Sequence, residues 1–182
     1  MLTRYEPWNA MRQLREEMDR AFGNALTRTE EIVQDTLTWA RTGGTLGETE
    51  RVSVREVAEA AWNVASTPGL ELDIRTDQAL EGDASRLKQL FENLFRNTYE
   101  HGGHARTVTI GALDNGFYVE DDGDGFPLGT TDKLFDVGET TSKDGTGFGL
   151  SIVKQVTDAH GWTIQAVSPP QGGARFEITG ID

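Results

Sequence analysis

Three short stretches hold the residues whose types and spacing could do chemistry. The first is ENLFRNTYEH at 92–101. At about 100° per residue, Leu87, Leu90, Phe91, Leu94, Phe95 and Thr98 share one arc of a helix. Asn93, Asn97 and His101 recur every four residues along the border of that arc. Asparagine is a poor helix former and costly to bury unpaired, so a helix meant only for packing has little use for two of them there. They are either satisfied surface amides or a polar stripe facing a polar ligand or a metal-bound phosphate. The second stretch is DDGDG at 121–125, at the expected end of a strand. The Asp121 carboxylate can accept a hydrogen bond from an exocyclic amine, and Gly123 and Gly125 let backbone approach a flat ligand. A tight acidic turn or a calcium loop would use the same residues, although the full EF-hand pattern is absent. The third is GTGFGL at 145–150, running into a helix. Helix N-terminal amides bind phosphate, and glycines permit close approach. A dinucleotide-binding fold would need such glycines directly after the first strand of a βαβ unit, whereas a long loop precedes them here. No Lys-Ser/Thr pair follows, so this is not a Walker A loop either.

The elements that must position these stretches are legible from periodicity. From residue 50 onward the pattern is α/β. The spacing predicts a helix over 53–65 capped by Ser53, a strand at 70–74 and a long helix from 84 to about 100 capped by Asp83. Two strands, 107–113 and 116–122, meet at Asp114-Asn115-Gly116, a strong hairpin signal. Residues 123–146 are rich in Gly, Thr and Asp and too long for an ordinary connection, which points to a functional loop. A helix from about 147 to 159 and strands at 162–168 and 174–179 complete the pattern. Before residue 50 two helices are expected. One spans 8–22, with Met11, Leu14, Met18 and Phe22 at helical spacing; the other spans 29–41, with Ile32, Val33, Leu37 and Ala40 on one face. Their apolar seams suit a helical hairpin or a coiled-coil homodimer through residues 1–42, or packing within their own domain.

Composition bounds the rest. The 182 residues carry 30 acidic and 17 basic side chains, a formal charge of −13. Residues 1–29 hold five arginines against four acids, so the negative charge belongs to residues 30–182. This places divisions at 1–28, 29–44 and 45–182. Such a charge argues against nucleic acid as partner, since phosphates would be repelled. The absence of cysteine excludes a disulfide scaffold and thiolate chemistry. No run approaches about 18 apolar residues and no signal-peptide core is visible, so a cytoplasmic location without a membrane segment is expected.

In this order and spacing the stretches resemble one family. ENLFRNTYEH is similar to the N box of the Bergerat-fold ATPases, the group of gyrase, Hsp90-type, histidine-kinase and MutL-type proteins. VEDDGDGF (119–126) looks like its first glycine box, KLFDVGETT (133–141) like its F box, and GTGFGLSIVKQVTDAHGW (145–162) like its second glycine box and following helix. The chain from about 50 to 182 resembles the ATP-binding catalytic domain of sensor histidine kinases. The resemblance implies an α/β two-layer sandwich, here preceded by two N-terminal helices, that binds ATP and Mg²⁺. Asn97 would coordinate Mg²⁺ and Asn93 would support the phosphate site. His101 and Lys143 would be cationic phosphate contacts, completing a catalytic group of four. Asp121 would bind the adenine amine, while Gly123 and Gly125 would admit the base. Gly145, Gly147 and Gly149 would hold the phosphates, with Thr140, Thr141, Thr146, Phe148 and Leu150 beside them. Residues 126–146 would form a mobile lid. Phe135 falls in the same site, and packing the lid suits it better than stacking on ligand. His160, before Gly161, reads as structural.

One position separates subfamilies. ATP-hydrolysing relatives and anti-sigma serine kinases place a glutamate four residues before the Mg²⁺ asparagine, as general base. Here Asn93 occupies that position and cannot accept a proton at neutral pH. Glu92 is adjacent but about 100° away around the helix. The resemblance therefore favours γ-phosphoryl transfer to a histidine. Residues 30–41 look like the second helix of a kinase dimerisation hairpin, but no histidine precedes His101. The phosphoacceptor would have to come in trans, from a His-bearing dimerisation domain that then serves a response regulator. Residues 2–23 instead resemble the N-terminal segment of small heat-shock proteins, as a chimera or engineered fusion would. The alternative reading is a non-catalytic ATP-binding regulatory module, or a fusion oligomerised by its N-terminal helices. The scarcity of lysine beside Asp and Glu suits a halophilic, even haloarchaeal, source.

Overall fold

The computed structural model describes residues 15, 18, 46–65, 67–126, 134–135 and 149–181. Arg15 and Met18, the two described positions before 46, are helical. The rest of the expected helix 8–22, and all of that at 29–41, lie outside the described residues. The chain divides into two compact units, Met1–Arg41 and Thr42–Asp182. Every described strand belongs to the second unit.

The strands are β1 (Glu50–Ser53), β2 (Glu71–Ile74), β3 (Ala79–Gly82), β4 (Thr107–Leu113), β5 (Gly116–Asp121), β6 (Thr163–Val167) and β7 (Arg175–Thr179). The helices of that unit are α1 (Val54–Ala65), α2 (Ala84–His101) and α3 (Gly149–Ala159). Five strands form one mixed sheet in the order β2-β4-β5-β7-β6. Only β2 and β4 run parallel; the other neighbours are antiparallel. A parallel pair needs a crossover, and the segment between β2 and β4 supplies it by carrying α2.

Alternation along the strands decides what faces the helices. Val108 and Ile110 on β4, Phe117 and Val119 on β5, Ile164 on β6 and Phe176 and Ile178 on β7 are buried together with the helix side chains. They sit in register: Ile110 opposite Val119, Val119 opposite Phe176, Phe117 opposite Ile178. The other face of the sheet is polar. There Arg175 pairs with Glu120 and Glu177 and lays its guanidinium 4.1 Å over the Tyr118 ring. The α2 arc read from periodicity is the buried face of that helix, with Leu87, Leu90, Phe91, Leu94, Phe95 and Thr98 all inside. Phe91 reaches the sheet at Phe117, 5.5 Å between rings, and Phe95 meets Trp62 of α1 edge-on at 5.0 Å. The result is a two-layer sandwich with the helices on one side of the sheet.

The elements expected from residue 50 onward are present, with ends moved by one or two residues. The two-residue turn Asp114-Asn115 closes the β4–β5 hairpin at Leu113 opposite Gly116. Ser53 Oγ accepts from Glu56 N at 3.4 Å, so the cap of α1 is real. The sequence pattern does not reveal that residues 50–53 and 79–82 form a two-stranded antiparallel ribbon. Each strand is four residues long, too short for a period to be read, and among the described residues each pairs with the other alone.

Candidate functional site

The site is built on α2, on the end of β5 and on the start of α3. Helix α2 is fixed at its N-terminus by Asp83, whose Oδ1 accepts from Ser85 N and Arg86 N at 3.0 and 3.2 Å. Its Oδ2 accepts from Gly47 N at 2.9 Å. His160, just past α3, closes the arrangement. Its Nε2 accepts from Asp83 N at 3.0 Å and its Nδ1 donates to Val156 O at 2.8 Å, while the ring stacks on Trp162. The structural role expected for His160 is thereby explained: it joins the end of α3 to the start of α2.

Asn93 is buried at 8% exposure, not a surface amide. Its Nδ2 donates to Gln89 O one turn back at 2.8 Å, and its Oδ1 has no hydrogen-bond partner among the described residues. That oxygen faces the first residue of α3: a Cβ placed on Gly149 would lie 3.4 Å from it. Asn97, one turn further along, is half-buried, and its side-chain amide has no hydrogen-bond partner among the described residues. His101 ends the helix. Burial pulls its pKa below the ordinary imidazole value, so the ring by itself favours the neutral form rather than the cation expected from sequence. Glu92 is turned away from this stripe and pairs with Lys88 at 3.0 Å.

Asp121 follows Phe117 and Val119 at the strand period, which places its carboxylate on the core face at 4% exposure. Three donors hold it. Oδ1 accepts from Gly123 N and Ala174 N at 3.0 and 3.1 Å, and Oδ2 accepts from Thr98 Oγ at 3.2 Å. Burial pushes its pKa above the ordinary carboxylate range, and the three hydrogen bonds reverse this only in part. A carboxylate offers about four acceptor positions, so Oδ2 keeps one for a further donor.

The glycines of this turn do first what the protein itself needs. A Cβ on Gly123 would run into Gly102 O. Gly125 has φ +77°, and a Cβ there would press on Gly173 O. Phe135 is half-buried with its ring 6.3 Å from that of Phe176. Leu150 packs against the core. Thr140, Thr141, Lys143, Gly145, Thr146, Gly147 and Phe148 lie outside the described residues.

Sequence reasoning misses two partners of Asp121. Thr98 reads there only as a member of the apolar arc; a hydroxyl on a buried face is the signal that marks it. Ala174 contributes through its backbone, which no side-chain pattern reveals. No group of three or more His, Cys, Asp or Glu side chains that could hold a metal occurs among the described residues. No helix among the described residues is long and apolar enough to cross a membrane.

Comparison with known proteins fits this geometry. The family described as histidine kinase-, DNA gyrase B- and HSP90-like ATPase matches residues 82–180. The sensor histidine kinase ZraS of Escherichia coli O157:H7 is 32% identical over 103 residues, 54% of this chain and 22% of that protein, so the chain spans about a fifth of the relative's length. Among solved structures, the mycobacterial sensor histidine kinase MprB superposes with a TM-score of 0.63 at 24% identity, over 73% of this chain and 97% of that one. Full-length ShkA in complex with AMPPNP superposes with a TM-score of 0.62 at 25% identity, over 100% of this chain and 40% of that one.

Proposed function

The chain belongs to the histidine kinase-, DNA gyrase B- and HSP90-like ATPase family, and from that premise we propose that residues 45–182 bind Mg·ATP and transfer its γ-phosphoryl group to a histidine on another chain. The observation that carries this reading is the acceptor position on Asp121 Oδ2, beside the Thr98 hydroxyl, that no donor among the described residues fills. A buried carboxylate otherwise satisfied by two backbone amides and a hydroxyl is built to receive one more donor, as an adenine amine supplies. Asn97, whose amide has no described partner, would bind Mg²⁺, and Asn93 Oδ1 would support the phosphates where α3 begins. Bound there, the ion would neutralise charge on the phosphate oxygens and help a protein of charge −13 accept a polyanion. His101 and Lys143 would contact phosphate. Gly123 and Gly125 would line the base, and 126–146 would close over it. Gly145, Thr146, Gly147, Phe148, Gly149 and Leu150 would hold the phosphates, with Thr140 and Thr141 nearby. A histidine acceptor needs little help from a general base, which agrees with Asn93 standing where a base would otherwise be.

The phosphoaccepting histidine hairpin and a response regulator would act in trans, with residues 1–42 available for dimerisation. Substituting Asn97→Asp or Asp121→Ala should lower ATP affinity by about a hundredfold in calorimetry. Unchanged affinity in both variants would sink the site assignment. The lack of any histidine before His101 favours a second reading, an ATP-binding module without transfer. Labelled ATP supplied with a histidine-bearing hairpin separates the two: ATP binding without label on the hairpin identifies the module.

A further inference from the structure

We propose that Asp122, which has no part in the nucleotide chemistry, is the positioning residue that sets Asp121 in place. The proposal rests on the reading of Asp121 as the base-binding carboxylate. The two neighbours differ sharply: Asp121 is buried, Asp122 is exposed. Asp122 Oδ1 accepts from Arg106 N at 2.7 Å and from Thr107 N at 2.9 Å, and Asp122 N donates to Thr107 O at 3.4 Å. Those bonds fasten the turn after β5 to the chain entering β4. Two residues on, Asp124 N donates to Gly102 O at 3.1 Å, the same carbonyl against which Gly123 lies. Residues 121–124 are therefore bound to segment 102–107, the direct exit of α2. Helix α2 carries Thr98, the donor to Asp121 Oδ2. The distance between Asp121 and Thr98 and the floor at Gly123 are thus fixed from outside the site, through a carboxylate that points away from it. Burial acts to raise the Asp122 pKa, but the amides of Thr107 and Arg106 outweigh it and hold the carboxyl below its ordinary range, so it keeps its acceptor form across neutral pH.

Three substitutions in the full chain test this. Asp122→Asn retains an oxygen at the accepting position without the charge. Asp122→Glu retains the charge but moves the acceptor by one methylene. Asp122→Ala removes both. Titration with Mg·ATP and Mg·ADP should show about tenfold weaker binding for the Ala and Glu variants, equal for the two nucleotides because the base end alone is disturbed, and Asn within about twofold of the parent. The amide resonances of Gly123 and Ala174, the donors to Asp121, should shift in the nucleotide-free Ala and Glu variants and return in Asn. Asn binding as weakly as Ala would overturn the proposal, because charge would then act on the ligand directly. Unmoved Gly123 and Ala174 resonances in both Ala and Glu would also overturn it. A parent chain that binds no nucleotide would defeat the reading of Asp121, and the resonances alone would then decide whether Asp122 positions it.

Discussion

Asp83 holds three parts of the chain with one side chain and its own amide: the first turn of α2, the strand-entry segment at Gly47 and the histidine after α3. Burial works to raise its pKa, but the amides of Gly47, Arg86 and Ser85 outweigh it and leave the pKa lowered. A folded-state pKa below the unfolded one contributes stability that is present above the ordinary carboxylate range and lost as pH falls through the folded value. Asp83→Ala should cost about 1–2 kcal/mol at neutral pH, and denaturant titrations at falling pH should show that difference shrinking. Asp121 has the opposite sign. Its raised pKa contributes stability that is full below the unfolded value and disappears as pH rises through the folded value. Its amine-accepting form is the carboxylate, so nucleotide affinity should fall on acidification before the fold does. Parallel calorimetry and far-UV dichroism from pH 7 to 4 check the order of the two losses.

At the scale of elements, α2 does most of the positioning because it serves both layers. Phe91→Ala removes the ring that joins it to Phe117 and leaves a cavity between helix and sheet. The expected cost is about 3–5 kcal/mol, read as a lower denaturation midpoint at unchanged slope. Gly123→Ala must push the turn off Gly102 O and should weaken ATP binding as well as the fold. The helix and hairpin were legible because their signals are local: a 3.6 period with Asp83 as cap, and alternation around Asp114-Asn115. The Asn93–Asn97 stripe was legible for the same reason. Pairing across distance was not. The β1–β3 ribbon joins residues about thirty apart with no pattern in either strand. The Ala174 amide reaches Asp121 from 53 residues away. Gly123 and Gly125 read as room for a ligand, and the structure shows that the room is first taken by the backbone of Gly102 and Gly173.

For the whole molecule the dominant quantity is charge. The 30 acidic residues outnumber the 17 basic ones, and the unmatched excess contributes self-repulsion. Salt screens exposed charges over about 10 Å at 0.1 M and less at higher concentration. The melting temperature should therefore climb from low to molar KCl if the acidic composition is an adaptation to salt, and a flat profile would count against that origin. The pairs that Arg175 makes with Glu120 and Glu177 on the outer sheet face lie largely out of solvent and should respond less than the exposed ones.

His160 and Gly149 mark opposite ends of α3, and they are held differently. The histidine end is bonded to Asp83, whereas the glycine end rests beside Asn93. Eleven residues make a rod about 16 Å long. Ile152 and Val153 seat the glycine half of that rod in the core as Val156 seats the histidine half, so it is anchored along its length. A stiff rod in a close-packed interior passes a displacement on rather than absorbing it. Loss of the His160 bond to Asp83 should therefore be felt about 16 Å away, beside Asn93.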